Sequence, residues 1–389
     1  MKQGIRIGGV GHEQFPALRE AFEENFIDRG EVGASVAVTQ NNRLVASFWG
    51  GYKHDPGAAG DTKSEQWQKD TLVNVWSTTK GVAAVCAAML VERGKIGFNT
   101  PLAEFWPAFA EKEKRAVTLA SLLSHQAGLC GFRQPVSPEH FYDLDEAASE
   151  LSEMTPFWTP GSGHGYHALT IGILLSTLFR RVDGRSLKEF VEQELATRFG
   201  LDIHIGLPER LSGQASGVIA PADMSTSNYA TELTDAQKAA LMNPLMSPDI
   251  ANTQAWRAAD NASANGFATA ESLALLYGAL ATDGTLGSAT LLGKKVLEQA
   301  ITPQTDKAID LVLGMESQWA CGFLMNTLGI YGPNPSAFGH SGWGGSFAFA
   351  DRDKGVSCAY TMNRMGTVLV GEPRASALIS ALYQDLNRH

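Results

Sequence analysis

The stretch NVWSTTKG, residues 74–81, sets Ser77 and Lys80 three positions apart at the opening of an Ala-rich segment, STTKGVAAVCAAMLVER, that ends at Arg93 before Gly94. That segment is apolar on more than one face, which predicts a largely buried helix over 77–93 with Gly94 as its stop. Ser77 is placed to cap that helix or to sit in its first turn. Residues at i and i+3 share a helix face, so the hydroxyl and the amine fall within hydrogen-bonding reach. A serine hydroxyl is a weak nucleophile until a base removes its proton, and lysine acts as that base only when burial or nearby positive charge lowers its pKa. Trp76 and the VAAV run supply apolar surroundings, and a helix N-terminus favours developing negative charge. Ser-x-x-Lys by itself is permissive and equally describes a capping serine with a solvated lysine, but it occurs only once in the 389 residues.

Two further segments bear on that choice. In PGSGHGYHALTIG, residues 160–172, a Pro/Gly-rich loop delivers Tyr166 just ahead of an apolar helix. A phenol carried on such a loop can face a cleft, and a nearby ammonium would favour its phenolate, able to accept or relay the serine proton. The plainer alternative is a tyrosine whose ring anchors the loop. In FGHSGWGGSFAF, residues 338–349, Gly342, Gly344 and Gly345 permit close backbone approach and torsions closed to other residues. A strand edge of this kind can aim a backbone N–H at an oxyanion while His340, Ser341 and Trp343 line the pocket; a glycine-marked bulge is the alternative.

Composition narrows the class. Hydrophobic residues make up 44% of the chain, enough for a sizeable core, and 31 Lys and Arg against 41 Asp and Glu give a net charge of −10. No stretch concentrates positive charge, so nucleic acid and anionic membrane are poor partners. The amino terminus MKQGIRIGGVGHEQF lacks the apolar core of a secretory leader, and VAAVCAAMLV and ALTIGILLSTLF are too short to span a bilayer, so a soluble cytoplasmic protein is expected. Cys86, Cys130, Cys321 and Cys358 are widely spaced and read as core residues rather than disulfide partners or zinc ligands. No HExxH, Walker loop or paired Cys/His spacing occurs, so neither a metal nor another cofactor is expected. Asn261-Ala262-Ser263 matches a glycosylation acceptor but reads as a polar loop. His125 reads as a residue bracing its loop, and His164, His167 and Trp158 as structural residues of theirs.

Taken in order, Ser77-Thr78-Thr79-Lys80, Tyr166 and His340-Ser341-Gly342 resemble the three-part active-site signature of serine β-lactamases and penicillin-binding proteins. Order and spacing are most similar to the class C branch and its esterase relatives, the family VIII carboxylesterases. LLSHQAGL (122–129) and NGFATAESLALL (265–276) resemble recurring loops of that superfamily, so the likeness runs from about residue 30 to the carboxyl end. The resemblance implies an acyl-enzyme on Ser77, general acid and base work shared by Lys80 and Tyr166, and an oxyanion hole from the backbone N–H groups of Ser77 and Trp343. His340, Ser341, Gly342 and Gly344 would bind substrate.

Two departures bear on that substrate. Where a class C β-lactamase carries Tyr-x-Asn, this chain has Tyr166-His167-Ala168, and where it carries Lys-Thr-Gly, this chain has His340-Ser341-Gly342. A mostly neutral histidine removes the fixed positive charge suited to a β-lactam carboxylate, and Trp343-Gly344-Gly345 resembles the family VIII motif. Neutral short-chain esters are therefore the expected substrates, with weak β-lactam hydrolysis alongside. A β-lactamase, a D-amino-acid peptidase or an acyltransferase would use the same machinery, and a catalytically silent penicillin-recognising sensor would keep the same fold. An ordinary α/β-hydrolase is disfavoured, because no Gly-x-Ser-x-Gly elbow surrounds any serine.

The same likeness and the element pattern give one architecture. A helix follows His12, strands ASVAVTQ and RLVASFWG flank a tight turn at Asn41-Asn42, helical patterns dominate the middle, and strands QWACGFLMN, SFAFADR and VSCAYTMN precede a last helix in GEPRASALISALYQDLN. The expected fold is α/β (α+β), of β-lactamase/DD-peptidase type: an antiparallel sheet built from both termini and flanked by helices, formed by 1–96 and 300–389, with a mainly helical second lobe over 97–299. The crevice between the lobes is the expected ligand site.

Overall fold

The computed structural model describes residues 5–56, 65–221 and 232–388. Seven strands form its main sheet: β1 (Ile7–Val10), β2 (Gly33–Gln40), β3 (Arg43–Gly51), β4 (Leu324–Met325), β5 (Phe338–Ser341), β6 (Phe347–Asp351) and β7 (Val356–Met362). They lie in the order β1-β3-β2-β7-β6-β5-β4, every neighbour antiparallel. The amino- and carboxyl-terminal parts of the chain join where β2 pairs with β7, Val38 opposite Cys358 and Ser35 opposite Thr361. The β2–β3 hairpin turns on Asn41 and Asn42, both at positive φ (49° and 60°), the torsions of a turn whose twist matches its flanking strands. The edge strand β1 has no counterpart in the pattern reading, and of QWACGFLMN only β4 and a bridge between Trp319 and Leu324 are strand-like.

Five helices organise the layers: α1 (Pro16–Ile27), α2 (Thr79–Glu92), α3 (Thr170–Val182), α4 (Ala270–Ala281) and α5 (Pro373–Leu386). Helices α1 and α5 pack together; the α1 N-terminus lacks a side-chain cap of its own, and its Ala17 and Leu18 N–H groups donate to the Asp385 carboxylate at 3.2 and 2.9 Å. That carboxylate also suits the positive end of the helix dipole. On β7, Ser357 Oγ donates to the Ala274 carbonyl of α4 at 2.6 Å, whereas Tyr360 reaches the Glu31 carboxylate, which pairs with Arg374 of α5. Strand residues three apart point to opposite faces, so α4 covers one face and α5 the other.

Helix α4 falls within 97–299, the span expected for the second lobe, yet it packs on the sheet. A Cβ on Gly278 would lie 2.5 Å from Thr39 Oγ1, so the absence of a side chain there brings helix and sheet together. A small sheet also joins distant parts of the chain, with Gly266–Ala268 between Val73–Asn74 and Ile203–Ile205. Periodicity over the helical middle did not reveal it, because strands of two or three residues carry no readable alternation.

Arg374, Glu31 and Glu372 form a buried cluster joining α5 to the sheet. Arg374 pairs with Glu31 at 3.1 Å and Glu372 at 2.8 Å, and its Nη2 donates to the Gly344 carbonyl at 3.2 Å. Burial pushes the Glu31 carboxyl above its usual range, and Arg374 opposes that shift. Removing one partner strands a buried charge, so Arg374→Met should lower stability by about 3–5 kcal/mol. Urea unfolding should show this as a lower midpoint at unchanged slope, with part of the loss recovered in Glu31→Gln/Arg374→Met.

Candidate active site

The nucleophile candidate sits in a short 3-10 turn, Trp76–Thr78, that feeds directly into α2. Ser77 does not cap the helix: α2 begins at Thr79, and neither Val75 nor Thr78, the residues before the turn and the helix, makes a side-chain cap bond. Trp76 holds φ at +48°, a left-handed torsion rare for a side chain of its size, and the surroundings enforce it. Its indole contacts the rings of Trp256 and Trp343 at 5.7 and 5.1 Å, and its carbonyl accepts from Thr79 Oγ1. Val75 is tied on both sides, its N–H to the Gly266 carbonyl at 2.9 Å and its carbonyl to Ser346 Oγ at 2.8 Å.

Lys80 is buried in the first turn of α2, with Nζ 3.0 Å from Ser77 Oγ, 2.7 Å from the Ala168 carbonyl oxygen and 2.9 Å from the Ser263 carbonyl oxygen. Burial drives its pKa well below the ordinary lysine value. A neutral amine has two N–H bonds and one lone pair. Both carbonyls can only accept, so they take the two N–H bonds and leave the lone pair facing the one partner able to donate, the Ser77 hydroxyl.

Tyr166 completes the cluster. Its phenol hydrogen-bonds the Ser77 side chain, and Lys80 Nζ lies 4.8 Å from the centre of its ring. The phenolate expected beside an ammonium is not what forms: burial of the ring, the largest influence, pushes its pKa upward, and the buried lysine is itself driven toward the neutral form. Tyr166 is a neutral phenol, able to give a proton.

The 338–349 segment approaches from β5. Gly342 lets the strand end press on the Ser77 turn, since a Cβ there would lie 2.3 Å from the Val75 carbonyl oxygen and 2.2 Å from Ser346 Oγ. The Gly342 N–H donates to the Ser346 carbonyl at 2.7 Å and the Gly345 N–H to the Gly342 carbonyl at 3.1 Å, closing a tight turn around Trp343. Trp343 is thereby held against Trp76, the residue before Ser77.

His340 is buried, 6.1 Å from the Tyr166 ring between centroids, with Nδ1 bonded to the Ser341 carbonyl at 2.9 Å and Nε2 without a partner. Burial, then Lys80, lowers its pKa to about 3, so the ring is neutral throughout the physiological range. Ser341 Oγ lies 3.2 Å from the Tyr331 hydroxyl. Gly344 differs from its neighbours: at φ +85° it packs on Met365 and its carbonyl accepts from Gly366 and Arg374, so its described contacts are those of a turn residue.

Several residues that hold the site escaped the pattern reading. Asn261-Ala262-Ser263 is a buried loop, not a polar surface one: Ser263 offers its carbonyl to Lys80, donates from Oγ to the Leu169 carbonyl at 2.6 Å and accepts the Gly172 N–H at 2.6 Å. Its position just before NGFATAESLALL was the available signal. His167, adjacent to Tyr166, is locked as the Nδ1–H tautomer because Nε2 accepts the Leu129 N–H at 3.0 Å while Nδ1 bonds the Gly165 carbonyl at 2.7 Å. His125 does brace its loop, its carbonyl accepting the Gly165 N–H at 3.0 Å and its Nδ1 the His167 N–H at 3.2 Å. It also sits against the Tyr166 ring, 5.0 Å between centroids.

Ser77 is only 7% exposed, so a reacting group reaches it within a nearly enclosed space where water is scarce. Among the described residues no group of His, Cys, Asp and Glu is arranged to hold a metal ion, and no helix is long and apolar enough to cross a membrane.

Comparison with known proteins identifies the family and the fold. The esterase/β-lactamase LipL of Mycobacterium tuberculosis is 30% identical over 378 residues, covering 94% of this chain and 85% of LipL. The crystal structure of a family VIII carboxylesterase superposes with a TM-score of 0.90 at 38% identity, covering 98% of this chain and all of the other. A penicillin-binding protein homologue from Caulobacter crescentus gives the same TM-score at 40% identity and the same coverage. Residues 18–382 match the Beta-lactamase family. The protein belongs to the Beta-lactamase family.

Proposed function

We propose that this chain is a serine carboxylesterase that cleaves neutral short-chain esters through an acyl-enzyme on Ser77. The observation that carries the reading is the Lys80 amine, buried and 3.0 Å from Ser77 Oγ, with both of its N–H bonds taken by backbone carbonyls. Lys80 takes the Ser77 proton as Oγ attacks the ester carbonyl carbon. The developing oxyanion is met by the backbone N–H groups of Ser77 and Trp343. As the intermediate collapses, the C–O bond to the alcohol breaks and the alcohol oxygen receives a proton from Tyr166, which regains one from the Lys80 ammonium. Water then repeats the cycle: it gives a proton to Lys80 as it attacks the acyl carbon, the bond from that carbon to Ser77 Oγ breaks, and Oγ takes a proton from Tyr166, which Lys80 restores as the acid leaves.

In this reading His340, Ser341 and Gly342 face the substrate, whereas Gly344, packed on Met365 with its carbonyl bonded to Gly366 and Arg374, shapes the turn behind them. A neutral imidazole at 340 supports neutral esters over carboxylate-bearing β-lactams. The likeness to a carboxylesterase structure at 38% identity supports esters as substrates, and the likeness to LipL, described as both esterase and β-lactamase, supports β-lactam hydrolysis alongside. No cofactor enters this scheme. A cytoplasmic location belongs to the same reading, supported by four free, buried cysteines.

Three experiments address it. On p-nitrophenyl acetate and butyrate, Ser77→Ala should lower kcat/KM by about 10⁴-fold or more, and Lys80→Ala and Tyr166→Phe by roughly 10²–10⁴-fold, with folding intact by circular dichroism. Undiminished turnover in Ser77→Ala would refute the assignment. The second is the pH profile. The neutral amine is the active form of Lys80, so kcat/KM should rise with pH through a lysine titration well below its usual range. Activity should then hold through pH 9, because burial keeps Tyr166 protonated there. A decline between pH 7 and 9 would contradict the neutral phenol. The third compares nitrocefin with the esters. The esters should dominate in the native enzyme, and His340→Lys should lower KM for nitrocefin by about tenfold through a charge-assisted hydrogen bond. A dominant native nitrocefin rate would instead select the β-lactamase alternative.

A further inference from the structure

Asp310 is fully buried and lies 144 positions from Tyr166 in sequence, yet its carboxylate is spent on that residue's surroundings. Its Oδ1 accepts the backbone N–H of Tyr166 at 2.9 Å, together with those of Val312 and Leu313, each at 2.9 Å. Its Oδ2 accepts Nε1–H of Trp319 at 3.3 Å. The Trp319 indole stacks on the Tyr166 ring, 5.8 Å between centroids and 13° from parallel, and stands edge-on to His125 at 4.4 Å. One carboxylate therefore fixes Tyr166 twice, by its main chain and by the ring that packs against its phenol. The loop needs such a hold: it reaches Tyr166 through Gly161, Gly163 and Gly165, residues that give the backbone little stiffness of their own.

We propose that Asp310 is the positioning residue for proton transfer by Tyr166, acting through the Tyr166 main chain and the Trp319 indole to hold the phenol on Ser77. It touches no reacting atom. Its negative charge also opposes ionisation of the phenol, in keeping with a group that must give up a proton only within the reaction. This inference rests on Tyr166 being the proton donor of the proposed esterase, and it adds how that donor is aimed.

The test is a double-mutant cycle on p-nitrophenyl butyrate hydrolysis, with kcat and KM measured separately. Asp310→Asn keeps an oxygen for the three backbone donors but sets an amide NH₂ against the indole N–H. Its kcat should fall by about tenfold to a hundredfold with KM within about threefold, since a misplacement of ~1 Å costs up to ~10²-fold. Trp319→Phe, which keeps a stacking ring and loses only the N–H, should lower kcat in the same direction. In a Tyr166→Phe background Asp310→Asn should cost almost nothing further, because residues acting through one group do not add. An equal loss of kcat in both backgrounds, or a lower melting temperature with kcat unchanged, would reduce Asp310 to a structural residue and overturn the proposal. Full activity in Tyr166→Phe itself would instead remove the catalytic reading on which the proposal stands, so the two failures are told apart.

Discussion

Two backbone carbonyls, those of Ala168 and Ser263, hold the Lys80 amine, and the rest of the site follows from that clasp. A lysine amine removed from water is costly unless its N–H bonds are satisfied. Satisfying both with acceptors that cannot donate leaves only the lone pair to face Ser77. The carbonyls come from residues 88 and 183 positions beyond the lysine, so the base is assembled by packing and is no property of α2 alone. The surrounding chain keeps those oxygens still. Thr170 bonds the Leu129 carbonyl, Ser263 bonds the Leu169 carbonyl, and Asn265 donates to the carbonyls of Trp256 and Ala259.

The sheet supplies the other half of the geometry. Pairing of β2 with β7 closes the chain ends into one layer, and the strands after that junction carry 342–346 onto the Ser77 turn. At that contact glycine is required for space: a side chain on Gly342 would overlap the Val75 carbonyl, and one on Gly81 would overlap the Tyr277 hydroxyl at 1.8 Å. The buried Arg374 pins the far side of the same turn through the Gly344 carbonyl. Strain at Trp76 is thus enclosed between α2, the small sheet and the Gly-rich turn, each of which would have to move for it to relax.

Local pattern made much of this legible. The apolar run after Ser77 marked a buried helix, Asn41-Asn42 marked a hairpin, and the alternating segments near the carboxyl end marked β6 and β7. The Ser-x-x-Lys pair, the loop tyrosine and the His-Ser-Gly segment named the residues that meet. Less visible were parts without periodicity: the edge strand β1, the three short strands behind the Ser77 turn, and the sheet-bound position of α4, whose span looked like one more helix of the middle region. Asp310 and Ser263 were hidden for a related reason. Each acts through backbone groups or through one bond to a distant segment, and neither residue type carries a motif for that.

The sequence by itself determined which side chains were available and in what order, because the chemistry of a hydroxyl, an amine and a phenol resides in the residues. It also determined that position 340 bears an imidazole where a fixed cation would otherwise stand. Tertiary structure alone decided their protonation. Burial sets Lys80 and Tyr166 toward their neutral forms and holds His340 neutral down to about pH 3, an outcome opposite to the phenolate that proximity to a lysine suggests. Desolvation depends on every atom packed around a group, and those atoms come from segments hundreds of residues apart.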